Sequence, residues 1–224
     1  MTQLYMVPKW FFGYDIAMEI IFTLVTFAVA YYSLKVYSIY HEKSSKAFGI
    51  GFGFISASYF IWALINLFLL SEVNESMDAI NINEIVSLSL MGLYSYMFFY
   101  IIGISILAYL TLKVKNLKVY SLILILSLAG ILLSCNKIVA FHLISAILLS
   151  YVVYFYFKEC LIKHNKRAFL VLFAFIFMTL TSINLIFIVT NYYSYISGHI
   201  LNLIAYGLIL ANLLIIKKNE QKKK

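Results

Sequence analysis

Charge is scarce in this sequence and proline is almost absent. Only 12% of the 224 residues are charged, and the single proline, Pro8, precedes the first long apolar run. A soluble domain carries about a quarter charged residues, so a chain built to face water on all sides is excluded. Mean hydropathy of +0.95 agrees. Also missing is the alternation of apolar and polar residues over about ten positions that marks a membrane β-strand; the apolar runs here last about twenty. In lipid each span must satisfy its own backbone hydrogen bonds, and the runs are therefore predicted to be transmembrane helices.

Other absences narrow the function. The two cysteines, Cys135 and Cys160, fall at opposite ends of neighbouring spans and are not expected to form a disulfide. No strand precedes the glycines, so no phosphate-binding loop is present. The last apolar run contains no lysine for a retinal Schiff base, as a microbial rhodopsin requires. The Pro-Gln pair of the PQ-loop sugar transporters is missing, and no span holds the two histidines typical of zinc-binding seven-helix hydrolases. No nucleophile with a partner base is evident, so an enzyme is not expected, and neither is a cofactor.

Polar punctuation divides the chain into seven spans, about 11–34, 47–70, 85–112, 119–134, 138–157, 168–190 and 199–216, followed by a basic tail, 217–224. The fourth is short. Assigning alternate loops to one side gathers every lysine and arginine there except Lys9 and Lys137, while Glu72, Glu75, Asp78 and Glu84 lie opposite. The positive-inside rule then places the N-terminus outside and the C-terminus in the cytoplasm. The net charge of +8 reads as a topology signal and an attraction to anionic inner-leaflet lipid, not as a nucleic-acid surface. Ala28-Val29-Ala30 resembles a signal-peptidase site, but Asp15 and Glu19 replace the positive flank of a signal peptide, so the first span is expected to be retained.

Lys46-Ala47-Phe48 with Phe52 and Phe54 recurs as Arg167-Ala168-Phe169 with Phe173 and Phe175. This pairs the first two spans with the fifth and sixth, and suggests two parallel three-helix halves joined by the fourth span. Aromatic belts are expected from Trp10, Phe11, Phe12 and Tyr14 at one interface and from Tyr31, Tyr32, Tyr37, Tyr40, Tyr151, Tyr154 and Tyr156 elsewhere. Gly49, Gly51, Gly53 and Gly103 offer smooth faces for close helix contact. Asn74-Glu75-Ser76 is a glycosylation sequon on the predicted outer side.

Polarity is one-sided in depth. Counting about 1.5 Å per residue from the outer boundaries, Glu19, Asn66, His142, Asn184, His199 and Asn202 fall in roughly the outer 10 Å of the bilayer core. Ser87, Ser89, Tyr94, Ser95, Ser145, Ser182 and Tyr206 extend this layer, and the inner half holds little beyond Asn212. The expected result is an outward-open polar cavity above an apolar plug. Glu19 is its central residue, because a glutamate one turn below the interface must be protonated, paired or wet. Asp15, one turn earlier, reads as a helix-start carboxylate near headgroup water. His142 and His199 are candidate ligands, Asn202 shares a face with His199, and Asn66 and Asn184 read as interhelical hydrogen-bonding residues.

Three function classes fit these residues. The leading one is a receptor-like module that binds a small molecule, proton or ion through Glu19, His142, His199, Asn202 and Asp15. With only residues 217–224 after the last span, its signal would pass to a cytoplasmic or membrane partner, or through a homo-oligomer. The second is a small transporter with Glu19 as its protonation site. The third is a metal or haem protein using His142 and His199, with Glu19 as a further metal ligand. High Ile, Lys, Asn and Tyr usage suggests a prokaryotic chain in the cell membrane.

Overall fold

The structure, a computed structural model, describes residues 12–75, 82–114, 116–163, 166–187 and 192–221. Asp78 of the acidic loop, Ser76 of the sequon, Trp10 and Phe11 of the aromatic belt and the last three lysines lie outside the described residues. Those described form seven α-helices and no strand: α1 (Phe12–Tyr40), α2 (Lys43–Glu75), α3 (Ile82–Thr111), α4 (Leu117–Leu133), α5 (Lys137–Lys163), α6 (Lys166–Ile186) and α7 (Tyr192–Gln221).

Six of these helices are long and apolar enough to cross a membrane; α4, with 17 residues, is shorter. The protein is a membrane-embedded helix bundle. Helix ends use side chains where glycine is absent. Asn116 accepts a hydrogen bond from the Lys118 N–H to cap α4, and His41 takes a left-handed conformation (φ 53°) to stop α1.

The helices close into a ring. α1 packs on α2 and α2 on α3; α5 packs on α6 and α6 on α7; the circle is completed by thinner seams between α1 and α7 and between α3 and α5. α4 lies against α3 and α5, with Ser127 and Ile131 as its buried residues. Inside the ring the core is aromatic: Phe22, Phe52, Tyr59, Tyr100, Phe141, Phe175 and Tyr206 are all buried. Outside it, Tyr14, Phe27, Tyr31, Tyr40 and Tyr154 are exposed, as residues facing lipid and headgroups must be. Tyr156 departs from the belt expected of it, because it faces inward and stacks on Phe175.

Close backbone approach sets the tightest seams. A Cβ on Gly103 would sit 2.7 Å from the Gly51 carbonyl oxygen and 2.7 Å from Ile55 Cγ1, so α2 and α3 touch there with nothing between their backbones. Gly207, also in a helix interior, has no atom within 4 Å of such a Cβ. Gly103→Ala should therefore lower stability by about 1–3 kcal/mol, whereas Gly207→Ala should leave it unchanged or raise it by about 0.5–1 kcal/mol. Thermal unfolding of the two variants in detergent measures the contrast.

Candidate functional site

One face of α1 carries Asp15, Glu19, Phe22, Thr26, Val29 and Ser33, spaced three or four residues apart and all buried. Its counterpart on α7 carries Tyr195, His199, Asn202, Tyr206, Ile209 and Asn212. Where the first two turns of α1 meet α7, the carboxylates and the imidazole come together. Asp15, Glu19 and His199 each offer one ligand atom, and these atoms lie within 4.8 Å of one another.

Asp15 is 1% exposed, not an interfacial carboxylate near headgroup water as its position suggested. The physical reason is the start of α7, which begins at Tyr192 instead of at His199. That extra length of helix lays Tyr195 over Asp15, and the phenol donates to Asp15 Oδ2 at 2.5 Å. His199, two turns inside α7 and not at its start, places Nε2 2.7 Å from Asp15 Oδ1. The contact lacks the directed geometry of a hydrogen bond, since Oδ1 is buried and has no hydrogen-bond partner among the described residues.

The orientation of His199 follows from its other nitrogen. Nδ1 lies 3.0 Å from the Tyr195 carbonyl oxygen; a carbonyl only accepts, so Nδ1 carries the hydrogen and Nε2 faces the carboxylates. Metal-binding histidines are commonly fixed in this way, with one nitrogen held by a carbonyl and the other presented to the ligand.

Glu19 is also 1% exposed. Asn66 Nδ2 donates to both of its oxygens, at 3.1 and 3.0 Å, and the Trp62 indole donates to it as well. Asn66 is thus an interhelical hydrogen-bonding residue whose partner is the central carboxylate itself. Asn184 bonds the Ser194 carbonyl and Ser197 Oγ, tying α6 to α7 away from the cluster.

A cavity of about 30 Å³, enough for a water molecule or an ion, opens beside the cluster. Glu19, His199, His142 and Asn202 all line it, together with Tyr59, Trp62, Tyr96, Leu185 and Tyr195. His142 is 5% exposed, touches Phe141 edge-on and makes no hydrogen bond among the described residues. Asn202 donates to the Tyr59 hydroxyl at 3.3 Å, while its Oδ1 is buried with no hydrogen-bond partner among the described residues. Tyr206 donates to the same Tyr59 hydroxyl at 3.1 Å, closing the cavity floor with phenols.

Two expectations change. Tyr94 is exposed and Ser87 faces outward, so α3 contributes Tyr96 to the cavity in place of that predicted layer. The larger opening also lies at the other end. A vestibule of about 350 Å³, lined by Tyr32, Ser33, Lys35, Ser44, Ser45, Tyr156 and Asn212 among others, occupies the basic end of the ring, where an apolar plug was expected. Tyr59, Trp62, Tyr96 and Tyr195 were not anticipated as lining residues. The spacing Tyr59, Trp62, Asn66 on one face of α2 was the available signal.

Asn66→Leu should leave the Glu19 carboxylate short of its main donor and lower stability by about 2 kcal/mol. In a Glu19→Leu background the same change should cost much less, because no buried carboxylate remains to be deserted. A double-mutant cycle on thermal unfolding reads the difference.

No family model matches the chain, and no curated protein or solved structure resembles it significantly.

Proposed function

We propose that the protein binds a divalent transition-metal ion inside the membrane, at the cluster formed by Asp15, Glu19 and His199. The observation that carries this reading is the set of three ligand atoms from two helices, all within 4.8 Å of one another, beside a cavity of ionic size. Mixed carboxylate and imidazole donors suit zinc and its neighbours. Around a tetrahedral zinc, ligand atoms stand about 3.3 Å apart; side-chain shifts on the order of 1 Å, with Asp15 and His199 parting from 2.7 Å and the wider distances closing, complete the geometry. His142, lining the same cavity without a hydrogen bond among the described residues, is the natural fourth donor.

Charge balance favours a dication. Two carboxylates 1% exposed in a lipid-embedded ring are expensive, and two positive charges cancel them where one would not. Among the described residues no lysine or arginine lines the cavity to do so instead. Metal bridging α1 to α7 would close the thin seam between those helices. That makes occupancy a conformational signal along the ring, to be passed to a partner protein at its basic end or used within the chain.

The charge asymmetry of the loops supports an orientation with this site toward the outside of the cell and the basic end in the cytoplasm. It also supports anchoring of the basic end on anionic lipid.

Purified, chelator-stripped protein should gain thermal stability on addition of Zn²⁺, by about 2.7 kcal/mol when the free ion exceeds its dissociation constant a hundredfold. Ca²⁺ at equal concentration should do much less, because it prefers six to eight oxygen ligands. Glu19→Gln should remain folded and lose the Zn²⁺ shift. A wild-type protein indifferent to Zn²⁺, Mn²⁺ and Co²⁺ would show that the cluster is a self-contained polar network.

A further inference from the structure

Besides Asp15 Oδ1, four buried polar atoms have no hydrogen-bond partner among the described residues. They are Asn202 Oδ1, Ser145 Oγ, Ser105 Oγ and Asn212 Oδ1. Asn202 lines the small cavity near Asp15 and Asn212 lines the vestibule at the basic end. Ser145 lies one turn beyond His142 on α5, and Ser105 lies on α3 between Tyr96, which lines the cavity, and Leu110, which lines the vestibule. Serine in a helix usually returns its hydroxyl to a carbonyl one turn back, as Thr26, Thr179 and Ser182 do here. Unsatisfied polar atoms inside a lipid-embedded ring are costly, and a water or ion passing between the two cavities would satisfy them.

We infer that the metal ion bound at Asp15, Glu19 and His199 is a transported substrate, and that the cavity and the vestibule are the two ends of its path. This rests on the metal-binding reading above. Both ends are built from both groups of helices: Glu19 and Tyr59 face His142 and His199 at one, and Ser33 and Ser44 face Tyr156 and Asn212 at the other. Helix α2 packs extensively on α1 and α3, as α6 does on α5 and α7, while among the described residues the two groups meet along the thinner α1–α7 and α3–α5 seams, through α4 and through the Tyr59 hydroxyl of α2, which accepts from Asn202 and Tyr206 of α7.

A small rotation of one group against the other closes one end as it opens the other. In the present structure the basic end is the open one. The buried rings of Phe22, Tyr59 and Tyr206, with centroids 5.3 to 5.8 Å apart, close the way between. From Asn202 to Asn212 this barrier is about 15 Å thick along α7, too long for an ion to cross without rearrangement, so the mechanism is alternating access and not an open pore.

The full chain reconstituted in liposomes of neutral and anionic phospholipid, loaded with a zinc-sensitive dye, tests the inference. External Zn²⁺ should give a saturable signal at least tenfold above protein-free liposomes, and Glu19→Gln should reduce it to background. Asn212→Leu, remote from the cluster, should cut the flux at least fivefold while keeping the Zn²⁺-induced thermal shift of the detergent-purified protein; Ser33→Val serves the same purpose if Asn212→Leu does not fold. Zn²⁺ binding without flux overturns transport and leaves the binding site standing. Absence of both overturns the two together. Flux unchanged by Glu19→Gln, or by both vestibule variants, overturns the route.

Discussion

Two carboxylates buried in a lipid-embedded ring constrain everything around them. Asp15 and Glu19 sit one turn apart, each 1% exposed, in surroundings where an uncompensated charge costs several kcal/mol. The neighbouring helices are committed to answering them. α7 supplies a phenol and an imidazole to Asp15, and α2 supplies an amide and an indole to Glu19. The seam between α1 and α7, thin elsewhere in packing terms, is polar at this end, and its register is set by these contacts and not by apolar area alone.

The remainder of the bundle is held by different means. Between α2 and α3 the glycines bring backbones into direct contact, so dispersion and close approach do the joining where lipid offers no hydrophobic drive for helices to associate. Aromatic rings fill the interior between the two cavities, and their hydroxyls find each other: Tyr59 receives both Asn202 and Tyr206. Specific polar pairing at one end, packed rings at the middle and a wide opening at the other make the ring strongly asymmetric along its axis.

Much of this was legible from residue type and depth. Runs of about twenty apolar residues give the helices directly, and counting inward from their ends groups Glu19, His142, His199 and Asn202, which line one cavity. Asp15 was misread because depth alone cannot show what a neighbouring helix covers; the turns of α7 that precede His199 bury it. Tyr59, Trp62 and Tyr96 escaped notice among 19 tyrosines and 2 tryptophans, since an aromatic residue facing lipid and one facing a cavity have the same hydropathy. The vestibule left no trace in composition at all. It lies among the ends of several helices, which is a property of packing and not of any residue.

α4 has a consequence of a different kind. Its 17 residues extend about 26 Å, less than the roughly 30 Å of a typical hydrocarbon core. Packed against α3 and α5, it covers the α3–α5 seam with a helix shorter than a full crossing needs. Were α4 to cross the bilayer, the membrane would have to thin there or draw the polar ends of α4 inward, at a cost that rises with membrane thickness. In that arrangement lipid chain length would act as a mechanical load on the α3–α5 seam, and the fit between the two groups of helices would depend on the membrane that surrounds them.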